Sequence, residues 1–268
     1  MTTEKRPGLG LITLGDRGRG LSTIVTVLAI ITATTLLWQF AGLEESTYSK
    51  PSILLNKAIW GDLGLVRASF ETSLHIGVAL LFGVITYVAG LYASTWEKAE
   101  GVFNFLVSAL PIFPRFVLAL ILVLVLGPGR EMVVYLAVLW VTGTTMFVQG
   151  FSAGLNFRHA SGEKREWLWA ADLEGASRNQ KLAKVLLPLS REEFFTGLRN
   201  ANNQAWGAVV YAEYFGNLYP DAPGLGKLVF ASFFYGQVHE GWLALLILMG
   251  LSGLCGVGIA ALQKRFAL

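Results

Sequence analysis

Six stretches of this chain run for twenty or more residues with little or no charge: 21–43, 68–94, 102–126, 131–152, 194–215 and 241–263. A helix that crosses the hydrocarbon core of a bilayer needs roughly 20 apolar residues. Backbone polar groups in lipid must be satisfied within the segment, and these runs are far longer than the roughly ten-residue alternating strands of a membrane barrel. The expected fold is therefore all-α: a polytopic membrane bundle of about six transmembrane helices forming a single domain over 1–268. With 54% of the residues hydrophobic and only 15% charged, an ordinary soluble domain is excluded.

The first run follows Lys5, Arg6, Arg17 and Arg19, a pattern that imitates a signal peptide. Its apolar part is about twice the usual length of ~7 to 15 residues and lacks a small-residue cleavage site, so it reads as a retained helix behind a cytoplasmic segment, 1–20. The lone cysteine, Cys255, falls in the last run, which leaves no intrachain disulfide to form. In the third run, "PIFPR" places Pro111 and Pro114 where each removes a backbone donor, so a broken or kinked helix is expected there. Glycines 77, 83, 90, 250, 253, 256 and 258 permit close helix approach, most densely between 253 and 258.

Lysine and arginine set the orientation. With the N-terminus in the cytoplasm, the inner intervals carry 14 of these residues and the outer ones five, so both termini and the long interval between the fourth and fifth runs are expected to be cytoplasmic. The isoelectric point near 9.0 reflects basic residues dispersed among these intervals, not one patch, which argues against nucleic acid as a partner.

The interval 153–193 is the longest polar stretch, and it contains "WAADLEGASRNQKLAKVLLPL", Trp169 to Leu189. Apolar positions recur partly at helical spacing, Gly175 breaks the pattern and Pro188 is expected to stop it, giving two short helices joined at an angle. By composition alone this is an amphipathic helix on anionic lipid, with Arg178, Lys181 and Lys184 toward the headgroups. The order of residues, however, resembles the cytoplasmic coupling loop of ABC-importer permeases of type I: Ala170, Ala171, Gly175, Val185, Leu187 and Pro188 fall where that family has Glu-Ala-Ala, Gly and Ile-x-Leu-Pro. The likeness continues through "QAWGAVVYAEYFG" and "PGLGKLV", which look like the nitrate, sulfonate and taurine branch. The departure is Trp169, which stands at the family's glutamate position, with Glu166 three residues earlier on the same helical face.

The resemblance implies a permease of the bacterial inner membrane. It would work as a homo- or heterodimer with separate ABC ATPase subunits that bind ATP and magnesium, and with an extracytoplasmic solute-binding protein. The chain itself would hold no cofactor and catalyse no reaction. "DAPGLGKL" imitates a phosphate loop, but Asp221 replaces the first glycine and Leu228 the magnesium-binding hydroxyl. Two His/Glu pairs, Glu71 with His75 and His239 with Glu240, lack metal-ligand spacing and read as polar residues at the membrane interface.

The fifth run is unusually polar, with Asn200, Asn202, Asn203, Gln204, Trp206, Tyr211 and Glu213. Such groups at membrane depth face a bundle interior or a wet cavity. Asn202, Asn203, Trp206 and Glu213 are thus expected on the translocation path, with Arg199 anchoring the cytoplasmic end of the helix. Arg115, after the double-proline break, offers a fork of donors suited to a planar oxyanion, or else makes a structural ion pair. A small anion such as nitrate, bicarbonate or a sulfonate is the solute the resemblance favours. A self-contained secondary transporter or channel is the alternative that the polar run also permits.

Overall fold

The computed structural model describes residues 64–96, 100–110, 114–127, 131–159, 163–216, 224–235 and 238–266. They belong to one compact unit, 58–268. The expected first span and the N-terminal segment lie outside the described residues. Every described element is a helix. In chain order they are α1 (Leu65–Ala93), α2 (Glu100–Ala109), α3 (Arg115–Leu126), α4 (Glu131–His159) and α5 (Glu163–Leu173), then α6 (Arg178–Lys181), a π-turn (Leu182–Leu186), α7 (Leu187–Leu189), α8 (Arg191–Gly216), α9 (Leu225–Phe234) and α10 (Val238–Phe266). The molecule is an all-α membrane helix bundle.

Among the described residues three helices are long and apolar enough to cross a membrane: Leu65–Ala93, Glu131–His159 and Glu240–Phe266. The expected third span is two shorter helices, α2 and α3. The break falls at the prolines, since Pro114 has no N–H for a helical bond and α3 starts directly after it. α8, with 26 residues, is nearly as long as these helices but more polar.

The centre of the bundle is the α1–α4 pair. Buried residues on α1 recur at helical spacing as Leu65, Ala68, Thr72, Ile76, Ala79, Gly83, Tyr87 and Gly90. Of these, Gly83 meets Thr142 and Met146 of α4, Tyr87 meets Gly150, and Gly90 meets Phe147 and Phe151. A Cβ added to Gly90 would lie 2.3 Å from the carbonyl oxygen of Phe147, and one added to Gly150 would lie 2.2 Å from that of Tyr87. The two backbones are therefore in direct contact, which only glycine allows. By contrast a Cβ added to Gly77, Gly250, Gly253, Gly256 or Gly258 would meet nothing among the described residues within 4 Å, so the glycine-rich stripe of the last helix is not used for packing within the described residues.

α8 lies against α4 and buries Phe195, Leu198, Ala201, Ala205, Val209 and Ala212. A core cluster of Tyr87, Met146, Phe157, Leu186, Phe195, Leu198 and Ile259 joins α1, α4, the π-turn, α8 and α10.

Pro188 does not stop the helix as expected. The chain stays helical from Arg178 to Leu189 because the π-turn precedes the proline: Leu187 N–H donates to the Leu182 carbonyl, five residues back. The extra residue in that turn accommodates the ring that would clash in a regular helix. The stop comes at Ser190, where the backbone leaves helical geometry for one residue. α9, ten residues that follow "YPDAPG", is an element that lies outside the six expected spans.

Candidate functional site

Three features of the bundle bear on function. The first is the segment 163–189. α5 ends at Leu173, and Gly175 takes φ +69° with nothing within 4 Å of where a side chain would begin. This is left-handed backbone, which glycine adopts freely. The Ala176 N–H donates to the Ala171 carbonyl and the Gly175 N–H to that of Asp172, closing the end of α5. A reciprocal capping box then starts α6: Gln180 N–H donates to the Ser177 hydroxyl at 3.4 Å, and Ser177 N–H donates to Gln180 Oε1 at 2.8 Å. Lys181 pairs with Asp172 across the elbow.

Between the two arms lies a cleft of about 310 Å³ lined by Trp167, Ala170, Ala171, Ala176, Lys184 and Val185, among others. Trp167, Trp169 and Leu173 are more than half exposed. Leu186 is buried, and Leu168, Leu182, Leu187 and Leu189 rest on the core cluster. The segment is an exposed, hinged projection rooted through the π-turn. The structure brings Ala170, Ala171 and Val185 together on the cleft, places Gly175 at the elbow, and puts Leu187 and Pro188 at the root.

The second feature is a cavity of about 210 Å³ lined by Trp140, Thr144, Thr145 and Gln149 of α4 and by Asn200 and Gln204 of α8, with Leu110 and Leu118 on its wall. The Thr145 hydroxyl lies 2.9 Å from Gln204 Oε1 and 2.8 Å from its own helix's Val141 carbonyl. Arg115 is the first residue of α3, three positions before Leu118; its side chain lies outside what the structure describes. Of the other expected path residues, Asn203 is exposed, while Asn202 and Trp206 are buried within the bundle and joined by a 3.0 Å bond from the Trp206 indole N–H to Asn202 Oδ1. Trp140, Thr144, Thr145 and Gln149 escaped the sequence reading. In "WVTGTTMFVQ" the polar signal lies in two pairs four residues apart, Trp140 with Thr144 and Thr145 with Gln149.

The third feature surrounds Glu213, which is completely buried. The Thr72 hydroxyl lies 2.8 and 3.0 Å from its two carboxylate oxygens, His75 Nδ1 lies 3.0 Å from Oε1, and the Gly226 N–H donates to Oε2 at 2.8 Å. Leu225 N–H donates to the Thr72 hydroxyl at 3.0 Å. The carboxylate thus caps the first turn of α9, where backbone N–H groups lack helical partners and the helix dipole is positive. A Cβ at Gly224 would lie 2.8 Å from Glu213 Oε2, and one at Gly226 would lie 2.5 Å from Val210 Cα, which is why "PGLG" needs both glycines. Glu213 therefore plays a different part from Asn202 and Trp206: it links α8 to α1 and α9 through hydrogen bonds, while they link to each other within α8. Arg199, near the other end of α8, donates to Gln263 of α10.

Among the described residues no three His, Cys, Asp or Glu side chains gather in a way that could hold a metal ion.

The family model for the inner membrane component of binding-protein-dependent transport systems matches residues 79–267, more than two thirds of the chain. No curated protein matches the chain significantly.

Proposed function

We propose, since the chain belongs to the family of inner membrane components of binding-protein-dependent transport systems, that it is the permease subunit of an ATP-driven ABC importer for a small solute. Membership makes it a transport subunit and not an enzyme, and it implies an ATPase and a solute-binding protein as partners. The observation that carries the rest is the projection 163–189, stiffened by two short helices, hinged at Gly175 and continuous through the buried Leu186 with α8. A lever needs an exposed end to be pushed and a rooted end to push with. Ala170, Ala171, Gly175, Val185, Leu187 and Pro188 supply these ends, and the ATPase is the partner that pushes. ATP and magnesium belong to that partner.

In this reading both termini and the projection are cytoplasmic, and a second permease copy completes the path. α8 is long enough to span the membrane, yet its exposed positions include Asn200, Asn203 and Tyr211. A polar face of this kind is costly against lipid and suits water or a solute. The cavity between α4 and α8 is then a station on the path, and Arg115, at the start of the helix that supplies Leu118, favours a small anion such as nitrate, bicarbonate or a sulfonate. Asn202 and Trp206 hold α8 in shape behind that face, and Glu213, buried farther along the helix, ties α8 to α1 and α9.

The test is purification of the chain with its ATPase, followed by reconstitution in proteoliposomes with the solute-binding protein. ATP-dependent uptake of labelled nitrate, bicarbonate or ethanesulfonate is expected, and Gly175→Glu is expected to weaken ATPase recovery and uncouple uptake while the helices still insert. A purified chain that brings no ATP-hydrolysing subunit and moves solute without ATP would establish the secondary-transporter alternative instead.

A further inference from the structure

We infer that the cavity between α4 and α8 is a binding site for a small amphiphilic solute: an oxyanion head held by the side-chain amides of Gln149, Asn200 and Gln204, and a short apolar body laid against Trp140. The site, whose place on a path rests on the permease reading, narrows the small anions to those that carry a carbon chain. It also makes the permease a selector in its own right, beside the solute-binding protein.

The walls are set by the fold. α4 runs from Glu131 to His159, and Thr145, at its midpoint, lines the cavity, which puts the site near the middle of a membrane-length helix. α8 runs antiparallel to it. A Cβ added to Gly216 would lie 3.0 Å from Val134 Cγ2, and one added to Gly197 would lie 2.6 Å from Gln149 Cγ. These close approaches on either side of the cavity hold the two helices at a fixed spacing, so the space between them is preformed.

The two ends of the cavity differ in chemistry. At ~1.5 Å per residue, Trp140 and Gln149 stand about 13 Å apart along α4. Trp140 and Val141 lie at one end, Gln149 and Asn200 at the other, and Gln204 lies between them beside Thr145. The volume of about 210 Å³ is below the ~300 to 1,000 Å³ of sites for drug-sized ligands, so the solute is small.

Hydrogen bonds already made decide what the polar groups can still offer. The Thr144 hydroxyl donates to the Trp140 carbonyl at 2.7 Å. The Thr145 hydroxyl has one proton for two acceptors, the Val141 carbonyl at 2.8 Å and Gln204 Oε1 at 2.9 Å. Both hydroxyl protons are thus used within the protein, and Gln204, engaged through its oxygen, keeps its NH₂ to give. The side-chain amides of Gln149 and Asn200 make no hydrogen bond among the described residues. No ionisable side chain stands among the described lining residues, so a cationic head meets no counter-ion, whereas several oxygens on one head can accept from the amides together. A bare oxyanion fills only that end. Trp140 is 45% exposed, and an alkyl body laid on it removes apolar surface from water, which nitrate or bicarbonate cannot do.

The test mixes the purified permease–ATPase complex, in detergent and without solute-binding protein, with ethanesulfonate or propionate, two oxyanion heads on the same ethyl body. Saturation-transfer NMR reads contact through their methyl protons, and nitrate, a head with no body, is added as competitor. Wild type is expected to transfer to at least one probe. Per assembled complex, that signal should fall at least about fivefold in Trp140→Ala and in Gln204→Glu and stay within about twofold in Trp140→Phe. Gln204→Glu keeps the shape and replaces the donor with a carboxylate oxygen, so it carries the test alone if Trp140→Ala does not assemble. Half-displacement by nitrate should need at least about five times the concentration at which the probe half-saturates. No transfer to either probe in wild type, undiminished transfer in Gln204→Glu, or nitrate displacing the probe at the probe's own midpoint overturns the site. ATP-driven uptake by the wild-type complex with its binding protein in proteoliposomes is measured alongside. Absence of that uptake defeats the permease reading, and uptake that persists while the binding results fail defeats the site alone.

Discussion

Gly150 and Gly175 are both irreplaceable on physical grounds, and the grounds are opposite. Around Gly150 there is no room, since a Cβ would sit 2.2 Å from a carbonyl oxygen of α1; around Gly175 there is only room, and the constraint is φ +69°. The first belongs to the α1–α4 pair, buried and locked by backbone contact. The second belongs to the projection 163–189, exposed along most of its length and touching the bundle through a few leucines. A transport subunit needs both kinds of construction: a frame that does not give, and a handle that can be gripped and turned. The comparison says which residues serve which, and it can be broken by mutations that treat the two glycines alike.

The largest effect is expected at the frame. In Gly150→Leu the intruding atoms meet backbone, which cannot step aside as a flexible side chain would, so the cost should reach or pass the upper end of the ~1 to 3 kcal/mol typical of overpacking. Loss of monodisperse protein after detergent extraction is the expected result. Gly77→Leu, at a glycine of the same helix pair with nothing within 4 Å, should extract as wild type. If the two variants behave alike, the seam is not what holds α1 to α4.

A smaller and different effect is expected at the handle. Gly175→Ala introduces no clash, but a non-glycine residue in the left-handed region costs roughly 1 to 2 kcal/mol. The protein should extract normally and its elbow should relax toward another angle, lowering ATP-driven uptake by about tenfold, the factor that ~1.4 kcal/mol sets. Gly175→Asn should fall between, because asparagine tolerates positive φ better than alanine. Normal uptake in Gly175→Ala would remove the elbow from the coupling path.

Much of this division was legible in the sequence, and the part that was not has a common cause. The helical class followed from the length of the apolar runs, the break in the third run from "PIFPR", and the elbow from a glycine between two amphipathic stretches. Each is a local property of the backbone. The glycine seam was only half legible: Gly83 and Gly90 were recognisable as packing residues, but Gly250 to Gly258 have the same signature and pack against nothing described. Which glycine stripe meets a partner is decided by the opposing helix. The Glu213 network joins residues 141 and 138 positions apart, so no spacing rule could reveal it. Pro188 misled because its neighbours make a π-turn, and a proline's local meaning depends on which backbone bond its ring would have displaced.

The smallest effect, and the sharpest test of where the boundary between frame and handle lies, is expected from Ser177→Ala. Losing an N-cap usually costs about 0.5 to 2 kcal/mol. Here the hydroxyl bond is long, at 3.4 Å, and the site is exposed, which places the cost near the lower end. That energy is negligible against the stability of the α1–α4 pair but not against the projection. Its α6 is four residues long, and the neighbouring Lys181–Asp172 pair is solvent-screened and worth little. Local opening in such a segment costs little to begin with, so even half a kcal/mol raises the open population by about twofold. Amide hydrogen exchange should therefore quicken over 178–181 while the amides of α1 and α4 keep wild-type rates, and uptake should fall by no more than about threefold, in line with that energy. Quickened exchange spreading into α8 would mean that the projection and α8 unfold as one unit, and the handle would then extend beyond Ser190.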